Sequence, residues 1–514
     1  MNLTAVNTDI VPGIVPGVVA VVLVSLATLV IGTWGLRISR TTSDFFVASR
    51  TVRPRLNASA IGGEYLSAAS FLGVAGLLLT FGAEMLWYPV GWTAGYLVLL
   101  VLVAAPLRRS GAYTLPDFAE ARLGSRSVRK LCSVLVVAIA WLYLLPQFQG
   151  AGVTLRATIG APPWAGSLVV AVVVLASVSP GGMRSITFVQ AFHFWMKLTA
   201  LLIPIFILLA VWAADGAADP TSTAPASWSI PVASPGGGIG LYTTYSLIVA
   251  TFLGTMGLPH VVVRFYTNPD GRAARRTTLA VLVLLGVFYL LPPLYAALGR
   301  IYAPDLVEGR SDVLVLELPH LMVGGLLGAV LTGLVTAGAF AAFLSTSSGL
   351  TIAVAGVLSQ DVTGRRWGAH RLGGVAAFRV AAAIAVVVPL LLTLPARDVA
   401  VARTVGLAFA VTASTFAPLL MLGIWWRALT PVGAVAGLLV GGLGSGAAVA
   451  WTLAVSPSAG WTATLLGQPA AWSVPASLLT MVVVSRLTRA SVPAHAGRFL
   501  VRLHTPEAVE LERG

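Results

Sequence analysis

Apolar segments of membrane-spanning length recur along almost the whole chain, from residue 13 to residue 488. A helix needs about 20 apolar residues to cross the roughly 30 Å hydrocarbon core of a bilayer. The composition agrees, because 57% of the 514 residues are hydrophobic and only 10% are charged. So few charges cannot cover the surface of a water-soluble protein of this size. The sequence therefore predicts an all-α integral membrane protein, with a single transmembrane domain over residues 1–514.

The apolar segments predict thirteen spans, followed by a tail at 489–514. The predicted spans are 13–36, 56–80, 85–107, 131–155, 163–180, 186–213, 240–263, 277–300, 322–358, 373–394, 399–426, 432–455 and 468–488.

The 32 Lys and Arg residues are unevenly distributed between the loops. Most lie in alternate loops, such as 37–55, 108–130 and 264–276, or in the tail, whereas the opposite loops hold few. With an odd number of spans, the positive-inside rule then predicts an external N-terminus and a cytoplasmic C-terminus in the cell membrane. The net charge of +14 is accordingly attributed to contacts with anionic lipid and not to nucleic-acid binding.

Two spans contain residues that loosen a helix at membrane depth. Span two contains Gly62, Gly63 and Glu64, and span seven contains the segment 254–260, which reads GTMGLPH. Backbone groups freed inside a membrane must line a cavity or bind something. The five-span interval predicts two inverted repeats, spans 2–6 (about 56–213) and spans 7–11 (about 240–426). The alternative is that these glycines only permit close helix packing.

Span nine carries a pair of adjacent hydroxyls. Ala342, Ser345 and Thr346 lie at i, i+3 and i+4, so they share one helix face. Two hydroxyls and a backbone carbonyl are hard oxygen ligands suited to Na⁺, and the broken part of span two could supply further carbonyls. The alternative is that each hydroxyl bonds its own i−4 carbonyl or a neighbouring helix.

Several other side chains within the predicted spans are ionisable, among them Glu64, His193, Lys197 and Arg379. Glu64 could gate the substrate, carry a proton, or add to the field that holds a cation; it could also reach interfacial water and only pack. Lys197 could pair with an acid, but we expect it to snorkel to a membrane face. His193 is expected to be a packed interfacial histidine and not a ligand.

The sequence lacks the motifs of membrane enzymes and pumps. It has no H-E-x-x-H motif, no Walker loop and no nucleophile elbow. We therefore expect neither an enzyme nor a bound cofactor. The hydroxyl pair and the paired breaks argue against a passive channel, and the short tail argues against a permease-like sensor kinase.

Four motifs together resemble the sodium/solute symporter family over about residues 40–430. They are TSDFFVASRTVRP, LNASAIGGEYLSAASFLGVAG, YTLPDFAEARLGSRSVR (with Leu123 in place of the usual aromatic residue) and GGMRSITFVQAFHFWMK. The resemblance implies two inverted five-helix repeats, with the first span and the last two at the periphery, and alternating access around a midplane site. It also implies Na⁺ as the coupling ion, held by the hydroxyls of Ser345 and Thr346 and the carbonyls of Gly63, Leu66 and Ala342.

Three stretches, at 63–73, 254–276 and 407–434, resemble the bacterial acetate and short-chain monocarboxylate permeases. That branch usually has Asp where this chain has Glu64. The resemblance implies sodium-coupled import of a small organic anion such as acetate, propionate or pyruvate. The anion would lie at the breaks of spans two and seven. No Arg is expected deep in those breaks, so exposed backbone N–H groups and half-helix N-termini would meet its charge.

Two alternatives to sodium-coupled monocarboxylate import stay open. One alternative keeps the symporter but exchanges the substrate for an amino acid such as proline or another small polar solute. Another keeps the carboxylate and uses H⁺, with Glu64 as the carrier.

The candidate substrate contacts are polar side chains near the two breaks. They are Tyr65, Ser67, Ser70, Gln147, Thr251 and Thr255, with Gln149 near the same cavity.

The topology can be tested directly. A reporter fused after Gly514 should be cytoplasmic, and a reporter inserted in the loop at 214–239 should be external, because the basic loops fix the orientation. Reporter activity in whole cells measures both. A periplasmic or extracellular C-terminal reporter would contradict the thirteen-span arrangement.

Overall fold

The computed structural model describes residues 14–36, 48–222, 224–232, 237–360, 374–393, 401–455 and 460–507. These residues are almost entirely helical and contain no β-strand, which confirms the all-α expectation. Part of the basic loop at 37–55, the whole of the basic segment 365–371 and the end of the tail lie outside the described residues.

The described chain is built from α-helices of very different lengths. Short π-helical turns at Ala69–Gly73 and Leu99–Val103 connect some of them. In chain order, the helices are α1 (Ile14–Leu36), α2 (Pro54–Tyr65), α3 (Val74–Phe81), α4 (Trp87–Val98), α5 (Ala104–Arg109), α6 (Leu115–Leu123), α7 (Arg126–Ile159), α8 (Pro163–Ala214), α9 (Gly238–Gly257), α10 (Pro259–Phe265), α11 (Gly271–Tyr289), α12 (Leu291–Tyr302), α13 (Leu314–Val323), α14 (Gly325–Leu358), α15 (Gly374–Leu392), α16 (Val401–Trp425), α17 (Pro431–Val455), α18 (Trp461–Gly467), α19 (Ala470–Leu487) and α20 (Ala496–His504).

Eleven helical segments of the described chain are long and apolar enough to cross a membrane. The segment 69–109 contains the predicted span 85–107 and the second part of the predicted span 56–80, and the segment 163–214 contains two predicted spans. The first is interrupted by a 3-10 turn that begins at Gly82, where φ is 78°. The second is two helices that meet at Gly182, where φ is 56° and ψ is −163°. A multi-pass membrane protein is therefore confirmed, while the count of thirteen and the inverted repeats stay predictions.

Both predicted interruptions are present, and the first lies later than expected. Helix α2 continues through Gly62, Gly63 and Glu64 and ends at Tyr65; the break falls at Leu66, whose ψ is 87°. The prediction that the glycines themselves form the break is wrong. A Cβ at Gly63 would lie 2.0 Å from the backbone oxygen of Gln190, so this glycine is needed for close packing of α2 on α8.

The second interruption falls inside the predicted segment of span seven. Helix α9 ends at Gly257, Leu258 is extended with ψ at 117°, and α10 starts at Pro259. Proline suits this position because the first helical residue needs no N–H partner. The two breaks therefore leave short helix ends in the interior of the bundle.

The centre of the bundle is formed by the helices that surround these breaks. Helix α14 packs on α8, α7, α1 and α2, and α9 packs on α16 and α4. Helices α14 and α16 are almost entirely buried, whereas α1 and α19 bury only one face. The buried ionisable side chains of Glu64 and Lys197 lie where α2, α8 and α14 meet.

The close packing at Gly63 predicts a difference between two glycine variants. Gly63→Ala should lower stability by about 1–3 kcal/mol, because a methyl group would meet backbone that cannot move aside. Gly446→Ala is the matched control, since its Cβ would meet nothing within 4 Å; it should be neutral or stabilising by up to roughly 1 kcal/mol. Thermal unfolding of both purified variants in detergent measures this, and equal effects would contradict the packing argument.

Candidate functional site

The predicted sodium ligands come together around the side chain of Lys197. The Lys197 ammonium donates hydrogen bonds to the carbonyl oxygen of Gly63, to that of Leu66 at 2.6 Å, and to Ser345 Oγ at 3.1 Å. Lys197 is fully buried, with 0% exposure, so the expectation that it snorkels to a membrane face is wrong. Its three donors meet three acceptors, which is the full capacity of an ammonium group.

The other two predicted ligands lie at the edge of this cluster. Ser345 Oγ also donates to the Ala342 carbonyl at 3.1 Å. Thr346 Oγ1 donates to the Glu64 carbonyl at 2.6 Å, a contact to another helix and not to its own i−4 carbonyl. The hydroxyl of Thr346 therefore links the C-terminal end of α2 to α14, and the ammonium of Lys197 links it to α8.

A buried ion pair links the two broken helices. Arg264 Nε donates to Glu64 Oε2 at 2.7 Å, and the two side chains are 1% and 2% exposed. Arg264 Nη1 also donates to Thr187 Oγ1 at 2.9 Å. Gly349 of α14 makes room for the carboxylate, because a Cβ there would lie 2.0 Å from Glu64 Oε1.

This ion pair corrects two expectations. The charge pattern of the sequence placed Arg264 in a cytoplasmic loop, and no arginine was expected near the breaks; the structure buries Arg264 on α10, directly after the second break. Glu64 does not reach an interface, since it is enclosed between Arg264 and α14. A gating, proton-carrying or electrostatic role for Glu64 stays open.

The predicted substrate contacts lie around the same breaks. Tyr65 Oη and Thr255 Oγ1 are 2.7 Å apart and join the two broken helices. Thr251 differs, because its hydroxyl donates to the Leu247 carbonyl at 2.8 Å and packs tightly against Gly91 of α4. Gln149 is half-buried on α7. The remaining contacts are Ser70 Oγ to Tyr289 Oη at 2.9 Å, Tyr143 Oη to Ser67 Oγ at 3.3 Å, and the Ala68 N–H to Gln147 Oε1 at 3.0 Å.

Sequence reasoning missed a buried group of aromatic rings beside these contacts. We call it the aromatic cluster. Neighbouring ring centroids lie between 4.9 and 6.3 Å apart. The members come from several separate helices, so no local sequence pattern connects them. They are Tyr65, Trp92, Tyr96, Tyr143, His260, Tyr289 and Phe409.

The aromatic cluster holds buried polar atoms without a partner among the described residues. They are Trp92 Nε1, Tyr96 Oη and both ring nitrogens of His260. Buried polar groups are almost always hydrogen-bonded, so several orphaned atoms in one place indicate a ligand site. Indole and phenol groups can donate hydrogen bonds to an anionic oxygen.

His193 lies outside this site. It is fully buried, and its Nε2 lies 2.9 Å from the hydroxyl of Thr28 on α1. It therefore packs between α8 and α1, as a structural histidine does.

Two broken helices that meet around buried polar groups, inside a bundle of apolar helices, define a secondary transporter. Residues 45–441 match the sodium:solute symporter family, and the chain belongs to this family. The expectation of a transporter and not an enzyme is confirmed.

The sequence is similar to two bacterial proteins along most of their length. It is 31% identical over 423 residues to the uncharacterized symporter YwcA of Bacillus subtilis, covering 80% of this chain and 82% of that protein. It is 30% identical over 480 residues to a monocarboxylic acid transporter of Corynebacterium glutamicum, covering 86% and 87%.

The fold is similar to that of a Na⁺-coupled sialic acid symporter solved in a substrate-bound, outward-open state. The TM-score is 0.70, and the match covers 92% of this chain and 97% of that one. The sequence identity is 13%, so the likeness concerns the fold alone.

The buried ion pair predicts a strong dependence of stability on both partners. Glu64→Gln or Arg264→Gln alone should each destabilise the protein by about 3–5 kcal/mol, because each leaves an uncompensated buried charge. The double variant should recover part of this loss. Thermal unfolding in detergent provides the double-mutant cycle, and strictly additive losses would contradict the pairing.

Proposed function

We propose that this protein imports a small monocarboxylate, such as acetate, propionate or pyruvate, by cation-coupled secondary transport. The observation that carries the substrate class is the set of orphaned buried polar atoms in the aromatic cluster. Trp92 and Tyr96 each present a donor next to the broken helices. A carboxylate could accept hydrogen bonds from both donors.

The charges around the breaks favour an anion. Lys197 and Arg264 are cationic and Glu64 is anionic, and all three are buried within the joined helices. Their sum in the fully ionised state is one positive charge, and a bound carboxylate would neutralise it. A counter-charge of this kind lowers the cost of burying a net charge.

The composition of the aromatic cluster favours a small substrate. Its rings come from α2, α4, α7, α10, α11 and α16, and neighbouring ring centroids lie between 4.9 and 6.3 Å apart. Apolar faces with a few donors suit a short hydrocarbon chain bearing one carboxylate. The similarity to the monocarboxylic acid transporter of Corynebacterium glutamicum supports the same substrate class over an amino acid such as proline.

The coupling cation belongs where α2 and α14 meet. The family resemblance implies Na⁺ among the oxygens of Gly63, Leu66, Ala342, Ser345 and Thr346. These residues do lie together in the structure. Alternating access would then release the cation and the anion at the cytoplasmic face, with the N-terminus outside.

The substrate proposal predicts a loss of affinity in Tyr96→Phe. Removing a hydrogen bond to a charged group costs about 1.5–3 kcal/mol, so half-saturation for the monocarboxylate should rise roughly 10- to 150-fold. Counterflow exchange of labelled pyruvate into proteoliposomes measures this without an ion gradient.

Tyr295→Phe is the matched control for this experiment. Tyr295 is equally buried, but its hydroxyl donates to the Leu201 carbonyl at 2.9 Å and lies outside the aromatic cluster. Its loss should affect stability and leave half-saturation within roughly twofold. The same loss of affinity in both variants, or saturable exchange of proline in place of pyruvate, would contradict the proposed substrate.

A further inference from the structure

The C-terminal end of the described chain lies across the ends of several other helices. Helix α20 packs on α5, α6 and α16, and the residues that follow it reach the first residue of α11. The helix has only nine residues, yet its Leu503 is fully buried. We call residues 495–507 the C-terminal strap.

Part of the C-terminal strap binds α6. Nε2 of His495 lies 2.9 Å from the carbonyl oxygen of Ala121, and the ring of Phe499 packs on that of Phe118 with 6.2 Å between the centroids. Helix α6 is in turn attached to α16, because the buried Arg122 donates hydrogen bonds of 2.8 and 2.9 Å to two carbonyl oxygens around the C-terminal end of α16. The strap is therefore anchored on a unit formed by α6 and α16.

Other residues of the C-terminal strap bind α5 and the start of α11. Arg502 Nε donates to the carbonyl oxygen of Arg109 at 3.2 Å. The carboxylate of Glu507 accepts a hydrogen bond from Arg109 Nε at 3.3 Å and another from the backbone N–H of Gly271 at 2.7 Å. One carboxylate therefore joins the end of α5 to the first residue of α11, and the strap connects both to the unit of α6 and α16.

The position that Glu507 holds is connected to the site by one short helix. Helix α10 runs from the second break to the segment 266–270, which directly precedes Gly271. At the breaks, Tyr65 is 1% exposed and Thr255 is 0% exposed, so the site is closed in this structure. The charge distribution assigns the segment and the strap to the cytoplasmic side. Opening the site on that side has to move α10 and the segment attached to it.

We propose that the C-terminal strap is an autoinhibitory contact that holds the transporter closed toward the cytoplasm. The inference concerns the regulation of the site described above, and it rests on the alternating access of the proposed function. Opening toward the cytoplasm breaks the contacts of Glu507 and Arg502, whereas opening toward the outside leaves them intact. The strap therefore lowers the population of the cytoplasm-open state, and any change that detaches it raises that population.

The contacts of the C-terminal strap are of a kind that can be released without unfolding the bundle. The side chains of Arg109 and Glu507 are 13% and 28% exposed. A partly exposed ion pair contributes little to stability, and salt screens it. The strap also lies at the helix ends, outside the buried contacts that join the two broken helices.

Thiol labelling of α10 tests the proposal without any substrate. The single cysteine, Cys132, is buried and is replaced by alanine, and Val262→Cys then places a thiol at a fully buried position of α10. Reaction of the full chain in detergent with a small maleimide follows the fraction of molecules in which α10 is exposed. Adding Glu507→Gln should raise the labelling rate roughly two- to fivefold, because a partly exposed ion pair is lost.

Two further variants separate the strap from general loosening. Leu503→Ser removes its buried apolar side chain and should raise the labelling rate at least as much as Glu507→Gln. Glu120→Gln is the matched control, since Glu120 of α6 pairs with Arg129 of α7 at 2.7 Å and lies outside the strap; it should leave the rate unchanged. Unchanged labelling in both strap variants, or an equal increase in Glu120→Gln, would overturn the proposal.

Counterflow exchange of labelled pyruvate by the reconstituted full chain tests the inhibition itself. Glu507→Gln should raise the maximum rate of exchange roughly two- to fivefold, and Glu120→Gln should not. A maximum rate in Glu507→Gln that does not exceed that of the wild type would overturn the autoinhibitory role. Absence of pyruvate, acetate or propionate exchange in the wild type would instead contradict the proposed substrate, and the labelling of α10 would still decide whether the strap restrains opening.

Discussion

The hydrogen bonds between Lys197 and the broken part of α2 are the interaction on which the centre of the molecule depends. Interrupting a helix inside an apolar bundle frees backbone carbonyls that lipid cannot satisfy. The ammonium of Lys197 satisfies those of Gly63 and Leu66, and it holds Ser345 of α14 at the same time. Gly63 permits this contact, since α8 approaches the backbone of α2 too closely for any side chain.

The buried charges form a second constraint, because none of them could remain alone in this environment. Glu64 has Arg264 as its partner, and Lys197 has carbonyl and hydroxyl oxygens. The ion pair and the bond between Tyr65 and Thr255 both join the first break to the second. A conformational change that separates the two broken helices must therefore break several buried polar contacts together, which favours discrete states over gradual deformation.

Much of the architecture follows from the sequence because membrane helices obey simple rules. Segment length and hydropathy predict apolar helices long enough to cross the bilayer, and the exclusion of unsatisfied backbone from lipid predicts a second break within 254–260, where the structure has it at Leu258. The same rules placed the first break too early in the chain. Glycines such as Gly62 and Gly63 occur both where a helix is interrupted and where two helices pack closely. Which meaning applies depends on the neighbouring helix, in this case the backbone of Gln190.

The sequence alone determined the fold class, the family and the residues that gather at the cation position, because their spacing and motifs are local. Tertiary structure alone decided what fills that position and what pairs with Glu64. Lys197 lies more than one hundred residues from Gly63 and from Ser345, and Arg264 lies 200 residues from Glu64. No local pattern reports such contacts. The aromatic cluster has the same origin, since its rings come from six different helices.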